Sequence, residues 1–266
     1  MKKIFTGKNF LKWFTVLIYI FIFSPIFVVI LMSFHPHEIV SFPMPGFTLK
    51  WYFKFISNDT LLMSLVISCL LGITSALIAG IIGTLAAFAI VRSKLRITKL
   101  LNLGAFAPMI ISGVVLGVAM LSFFKAVNFP NGFLSLLVAH TLFSLPYVII
   151  SVSSSLASFD QSIEDAAMNL GANKFQTFRS ITFPNIFPAI VAGMLLAFTI
   201  SFDEFAASQF LSTPGTITVP IRIFSMIKTE LNPQINVLAA VMLLVTICLP
   251  LIAQIFMRGK VKKRSL

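Results

Sequence analysis

The chain has 266 residues, of which 58% are hydrophobic and 11% charged, with a mean hydropathy of +1.00 and a formal net charge of +12. Soluble domains carry about 25% charged residues, so this composition excludes a soluble enzyme or binding module and points to an integral membrane protein. The basic residues sit beside the ends of apolar runs, which makes them a topology signal and argues against nucleic acid as a partner.

A membrane-spanning helix needs about 20 mostly apolar residues. Six runs qualify, at roughly 12–34, 60–91, 100–124, 133–155, 186–212 and 236–257. They predict an all-α membrane protein of six spans and one domain over residues 1–266, with neither repeat nor low-complexity linker. The first run is too long for a cleaved signal peptide, and no small-residue cleavage site follows it. After it comes a long loop, about 35–59, whose prolines forbid a continuous helix. Within it His35 and His37 flank Pro36, which spoils ligand spacing, and no third nitrogen or sulfur is near, so no metal site is expected. Trp51 and Tyr52 suit an interfacial anchor.

The second run is long enough to tilt or to begin outside the bilayer. Cys69 lies inside it and Cys248 inside the sixth, so the two are small hydrophobes rather than a disulfide framework. Gly113 and Gly117 form G-x-x-x-G in the third run, a pattern for close helix packing. His140 in the fourth run reads as an interhelical hydrogen-bond partner rather than a proton relay. Pro25, Pro108 and Pro146 fall inside runs and predict kinks.

Orientation follows from Lys and Arg. With both termini cytoplasmic, fifteen basic residues lie on the inner segments, and five, Lys50, Lys54, Lys125, Arg222 and Lys228, on the outer ones. That asymmetry satisfies the positive-inside rule.

The inner loop between the fourth and fifth runs, about 156–185, carries helix signals of its own. Ser162 can cap a helix, with Asp165 three residues on. Ile163, Ala167 and Leu170 follow at helical spacing, and Gly171 offers a place to end and turn. A second helical stretch, Asn173 to Ile181, stops before Pro184. Small residues at Ala166, Ala167 and Gly171 would let another protein approach the backbone closely. On physics alone, a loop helix lying on the membrane surface remains equally open.

The fifth run ends in "SFDEFAASQF", residues 201–210. The twenty residues before Asp203 carry no charge, yet Asp203 and Glu204 stand side by side. A charge near the bilayer centre costs about 2.5–3.5 kcal/mol on insertion scales. Counting from Ile186, Asp203 stands about 25 Å along the helix, in the outer half of the bilayer. Gly193, Ala197, Ser201, Glu204 and Ser208 form one small or polar stripe, with Thr199, Asp203 and Ala206 on an adjacent one. No basic residue shares the span, so a cationic substrate or a basic residue of a partner chain must balance the acids. No G-x-x-x-x-G-K-S/T phosphate loop occurs, so any ATP would be bound by another chain. Neither G-x-S-x-G nor H-E-x-x-H occurs either, which leaves a membrane enzyme without a catalytic constellation.

Glu164, Ala166-Ala167, Leu170-Gly171-Ala172, Phe178, Pro184 and Pro188 resemble the EAA loop of ABC importer permease subunits. That pattern is E-A-A, three residues, Gly, about nine residues, then I-x-L-P. Here Asp165 intervenes before the alanines, and Phe183 replaces the usual Leu. The stretches "TLKWYFKFISNDTLLMSLVIS" and "SFDEFAASQFLSTPGTITVPIRIFSMIK" extend the resemblance to spermidine/putrescine permeases of the PotC type, over nearly the whole chain. Relatives of that type often carry a carboxylate after the third-span proline, where this chain has Met109.

The resemblance implies a type I ABC importer permease of the prokaryotic inner membrane, taking up putrescine or spermidine delivered by a periplasmic or extracellular binding protein. It implies a coupling role for Glu164, Ala166, Ala167, Leu170, Gly171 and Ala172, whose loop docks an ATPase dimer that holds the ATP and Mg. A second, different permease subunit and membrane lipid complete the partners, and this chain has no cofactor of its own. Substrate contacts are expected at Asp203, Glu204, Ser201 and, by resemblance, Trp51. Import of another small cationic or organic solute is the alternative, as is a proton- or ion-coupled carrier, which would explain the acids but not the loop.

Overall fold

A computed structural model of the chain describes residues 7–38, 43–93, 97–229 and 232–262, with side-chain surroundings given for 10–38, 43–93, 103–229 and 232–252. The basic residues Lys2, Lys3, Lys94, Arg96, Lys263 and Arg264 lie outside the described residues.

The described residues form helices and connecting turns. In chain order these are α1 (Gly7–Met32), α2 (Lys50–Ile56), α3 (Asp59–Arg92), α4 (Ile97–Ile110), α5 (Gly113–Ala126), α6 (Phe133–Ser158), α7 (Gln161–Asn169), α8 (Lys174–Thr177), a π-helical turn (Phe178–Thr182), α9 (Phe183–Asp203), α10 (Ser208–Leu211), α11 (Val219–Thr229) and α12 (Gln234–Lys262). Among the described residues five stretches are long and apolar enough to span a membrane, Phe10–Met32, Asp59–Arg92, Phe133–Ser158, Lys174–Asp203 and Gln234–Ile252, and the pair Leu103–Ile110 and Gly113–Ala126 makes six if it counts as one broken span.

The expected third span, 100–124, is instead two helices, α4 and α5, that meet at a bend of 115°. Pro108 lies in the last turn of α4 and gives no N–H to the helix ladder. Ser112 then takes an extended conformation, with φ −57 and ψ 134, before α5 begins at Gly113. By contrast, α1 and α6 continue through Pro25 and Pro146.

Two further expectations change. The stretch after Asn173 does not stop before Pro184 but runs on through the π turn into α9. Proline's ring would clash with the carbonyl four residues back in a regular helix, and the wider π turn relieves that clash. The fifth run, 186–212, is not one helix either: α9 ends at Asp203, and α10 is a separate turn. The helical stripe predicted through Glu204 and Ser208 therefore breaks at Asp203.

Packing divides the chain into two compact units, Met1–Leu62 with Ile223–Leu244, and Met63–Arg222 with Val245–Leu266. In the first, side chains tie the segment after α1 to α2. Ser33 Oγ and Tyr52 OH share a hydrogen bond of 2.7 Å, and the Trp51 indole N–H donates to the His35 carbonyl at 2.7 Å. Residues 10–25 of α1 are all exposed.

In the second unit α6 and α9 are the central pair. Gly193 approaches so closely that an added Cβ would lie 2.9 Å from Val148 Cα. Two serines of α6 exploit this proximity. Ser144 donates to the Ala197 carbonyl at 3.0 Å and Ser151 to the Ala189 carbonyl at 2.7 Å. Small residues and hydroxyl bonds are the means of joining helices where lipid is as apolar as the side chains.

Candidate functional site

Both regions singled out in the sequence lie in the second unit, at opposite ends of one helical stretch, Lys174–Asp203. Thirty residues at 1.5 Å each make it about 45 Å long.

At the loop end, α7 begins with Asp160 rather than Ser162 as its cap. The Asp160 carboxylate accepts the Ser162 N–H at 2.9 Å, and this bond holds its pKa below the usual carboxylate value. Ser162 sits inside the helix because Asp160, with φ −68 and ψ 113, is the last extended residue. The far end closes as the sequence predicts. Gly171 has φ +94, its N–H bonds the Met168 carbonyl at 3.0 Å, and the Ala172 N–H reaches the Ala167 carbonyl at 3.1 Å. No residue of α7 is buried. Leu170 is 89% exposed and Phe175 69%, so the loop presents large apolar side chains outward.

Glu164 behaves differently. It pairs with Arg92 at 3.3 Å and accepts the Thr182 hydroxyl at 2.7 Å, while Arg92 also donates to Gln161 at 3.0 Å. One carboxylate thus joins α7 to the end of α3 and to the π turn. Arg92 and Thr182 carry no sequence signal for this role, since Arg92 reads only as a topology charge.

At the other end the acidic pair separates into two environments. Asp203 is the last residue of α9 and is exposed, and its carboxylate makes no hydrogen bond or ion pair within the described residues. Glu204 is half-buried, and its Oε1 accepts the Ala207 N–H at 2.8 Å, closing the turn between α9 and α10. That turn rests on α5. Cβ atoms added at Gly113 and Gly117 would lie 2.9 Å from Ala206 Cβ and 2.8 Å from Ala207 Cα. The G-x-x-x-G pattern therefore serves packing within this chain.

Ser201 has its hydroxyl engaged within the chain. It is buried, within 2.9 Å of Ser75 Oγ and 2.8 Å of His140 Nδ1. His140 is the interhelical partner anticipated, with Nε2 2.8 Å from Ser208 Oγ. Trp51 belongs to the first unit and is fully buried. The Nζ atoms of Lys50 and Lys54 lie 5.1 and 4.8 Å from the centre of its ring. The chain's own ammonium groups thus hold the aromatic face that a cationic substrate would need. No group of three His, Cys, Asp or Glu able to hold a metal ion occurs among the described residues.

Long apolar helices, a sharply broken helix pair and an outward-facing amphipathic loop helix define a multi-pass membrane protein. Residues 79–263 match the family described as "Binding-protein-dependent transport system inner membrane component", and the chain belongs to that family. It is 34% identical over 245 residues to the "Spermidine/putrescine transport system permease protein PotC" of Haemophilus influenzae, covering 92% of this chain and 95% of that protein. To the "Putrescine transport system permease protein PotI" of Escherichia coli it is 34% identical over 230 residues, covering 84% and 82%. The fold is that of ABC importer permeases: a chain from the crystal structure of a bacterial ABC transporter that imports alginate superposes with a TM-score of 0.68 at 14% identity, over 93% of this chain and 96% of that one.

Proposed function

We propose that this chain is one permease subunit of an ATP-driven importer of polyamines, with putrescine or spermidine as the substrate and both termini on the cytoplasmic side. The observation that carries the reading is the unbalanced carboxylate of Asp203, standing at one end of a helical stretch whose other end leads into the α7 loop. Spermidine and putrescine, for which the similar permeases are named, are cations that such a carboxylate would attract.

In this reading Asp203 supplies most of the negative field of the path. Glu204 adds its second oxygen and holds the turn with its first. The 156–185 loop docks an ATPase dimer that binds ATP and Mg. Its exposed Leu170 and Phe175 and the close approach allowed by Ala166, Ala167, Gly171 and Ala172 suit a protein groove. A movement imposed on α7 reaches α3 through Arg92 and α9 through Thr182, because Glu164 holds both. A binding protein delivers the substrate from outside. A second permease chain and lipid cover the apolar surface of α1, which this chain leaves exposed.

The test is uptake of labelled putrescine by the assembled complex. Asp203→Asn keeps shape and removes charge, and uptake should fall severely. Glu204→Gln retains an oxygen for the Ala207 N–H, so its loss should be smaller. If neutralisation instead breaks assembly, and a matching neutralisation on the second permease restores transport, the carboxylates serve subunit pairing. Full uptake by the doubly neutralised complex contradicts both roles.

A further inference from the structure

We propose that His140 is a positioning residue for the acidic pair, its imidazole fixing the turn at which α9 stops by bridging Ser201 on one side of the pair and Ser208 on the other. The proposal rests on the reading of Asp203 and Glu204 as the substrate-facing carboxylates.

The turn needs such a tether. Between Asp203 and Ser208 the regular helix ladder is interrupted, and the Glu204 N–H reaches only the Ser201 carbonyl, at 3.3 Å. Side chains supply the remaining constraints. Glu204 Oε1 caps Ala207 from within the turn, and the alanines rest on Gly113 and Gly117. His140 approaches from α6, 99% inaccessible, with each ring nitrogen 2.8 Å from a serine oxygen. Those serines lie two residues before Asp203 and four after Glu204.

The hydrogen positions follow from counting donors. Ser208 has one hydroxyl hydrogen, and it goes to the Glu204 carbonyl at 2.9 Å. Its oxygen must then accept the Nε2–H of His140. In the neutral ring Nδ1 is an acceptor, and it takes the Ser201 hydrogen. The Ser201 oxygen is left to accept from Ser75, on α3, at 2.9 Å. Every hydroxyl and both ring nitrogens are satisfied by one neutral tautomer.

This arrangement fits positioning and not proton transfer. One end of the chain of bonds is the Glu204 backbone carbonyl, and its carboxylate oxygen Oε1 is engaged elsewhere, on Ala207. The other end is Ser75, whose oxygen also lies 3.2 Å from the Gly72 carbonyl. Neither end reaches a group that could release or take up a proton. What the bridge does is lock α3, α6 and α9 to one turn, so the carboxylate of Asp203 has a fixed place relative to the helices.

The experiment uses the whole complex with its partner chains and loaded binding protein in proteoliposomes, with putrescine as the probe. The readout is putrescine moved per ATP hydrolysed. Loss of folded complex lowers both quantities together, whereas misplaced carboxylates lower the ratio. His140→Leu removes both bonds, and the ratio should fall by about tenfold. His140→Gln keeps one acceptor and one donor and should return it to within about threefold of the starting protein. Ser208→Ala removes the bond to Nε2, together with the hydroxyl's own bond to the Glu204 carbonyl, with little change in volume and serves should the leucine variant fail to assemble; it should give an intermediate loss. An unchanged ratio in His140→Leu, or in Ser208→Ala where the leucine variant does not assemble, overturns the proposal, and so does a glutamine variant no better than leucine. Asp203→Asn measured in parallel separates the two ideas. If it transports normally, the reading of the acidic pair fails. If it loses transport while the His140 and Ser208 variants do not, only the positioning role fails.

Discussion

Gly117→Ala should displace the turn that carries the acidic pair. The added Cβ would lie 2.8 Å from Ala207 Cα and 2.9 Å from Phe210 Cδ2. Carbon atoms rest at about 3.5–4.0 Å, so something must move by about 0.7 Å. Ala207 is fully buried and the atom met is backbone, so no side-chain rotation relieves the contact. Overpacking a close contact by one methylene or methyl costs about 1–3 kcal/mol. At 1.4 kcal/mol per factor of ten, the balance between the native and a displaced turn shifts by roughly 5- to 150-fold. The assay is putrescine uptake per assembled complex, with Gly215→Ala as control, since a Cβ there meets nothing within 4 Å. Uptake should fall in Gly117→Ala and stay unchanged in Gly215→Ala. Equal uptake by both would show that the turn does not depend on its support by α5.

Other predictions concern the loop end. Gly171→Trp should leave insertion intact and reduce binding-protein-stimulated ATP hydrolysis to its basal rate, because the residue must hold φ +94 and its neighbours face outward; normal stimulation would remove the loop from coupling. Arg92→Ala and Glu164→Ala should each weaken that stimulation, Glu164→Ala the more because it also loses Thr182 at 2.7 Å, and the double variant should lose less than the sum of the two, since they share one contact of 3.3 Å. Additive losses would mean that the pair is not a working link.

Much of this fold was legible because its signals are local. Apolar runs mark five of the expected spans as single stretches and the sixth as the bent α4–α5 pair, and Gly171 ends α7 where left-handed backbone is required. The break between α4 and α5 was legible only as a kink at Pro108; that it turns by 115° was not, since Ile110-Ile111-Ser112-Gly113 lies within an apolar run. The end of α9 was hidden for a similar reason: nothing in Phe205-Ala206-Ala207 opposes a helix, and the turn forms because Gly113, Gly117 and His140 receive it. Those contacts join residues far apart in the chain, 61 positions for Ser201 and 68 for Ser208. Ser201 is expected as a contact from its hydroxyl one turn below Glu204, and Trp51 from the resemblance and its aromatic face. Both are buried, with the Ser201 hydroxyl bonded within the chain and lysines beside the Trp51 ring, which their residue types do not announce.

The central claim is that this permease works in an ATP-driven importer of polyamines. Its most direct test is accumulation of labelled putrescine or spermidine by proteoliposomes that hold the chain with its second permease, ATPase and binding protein, and no ion gradient. Accumulation should require both ATP and loaded binding protein, and should collapse when Asp203 is replaced by asparagine. Accumulation that proceeds without ATP, driven by an imposed proton gradient, would contradict the account.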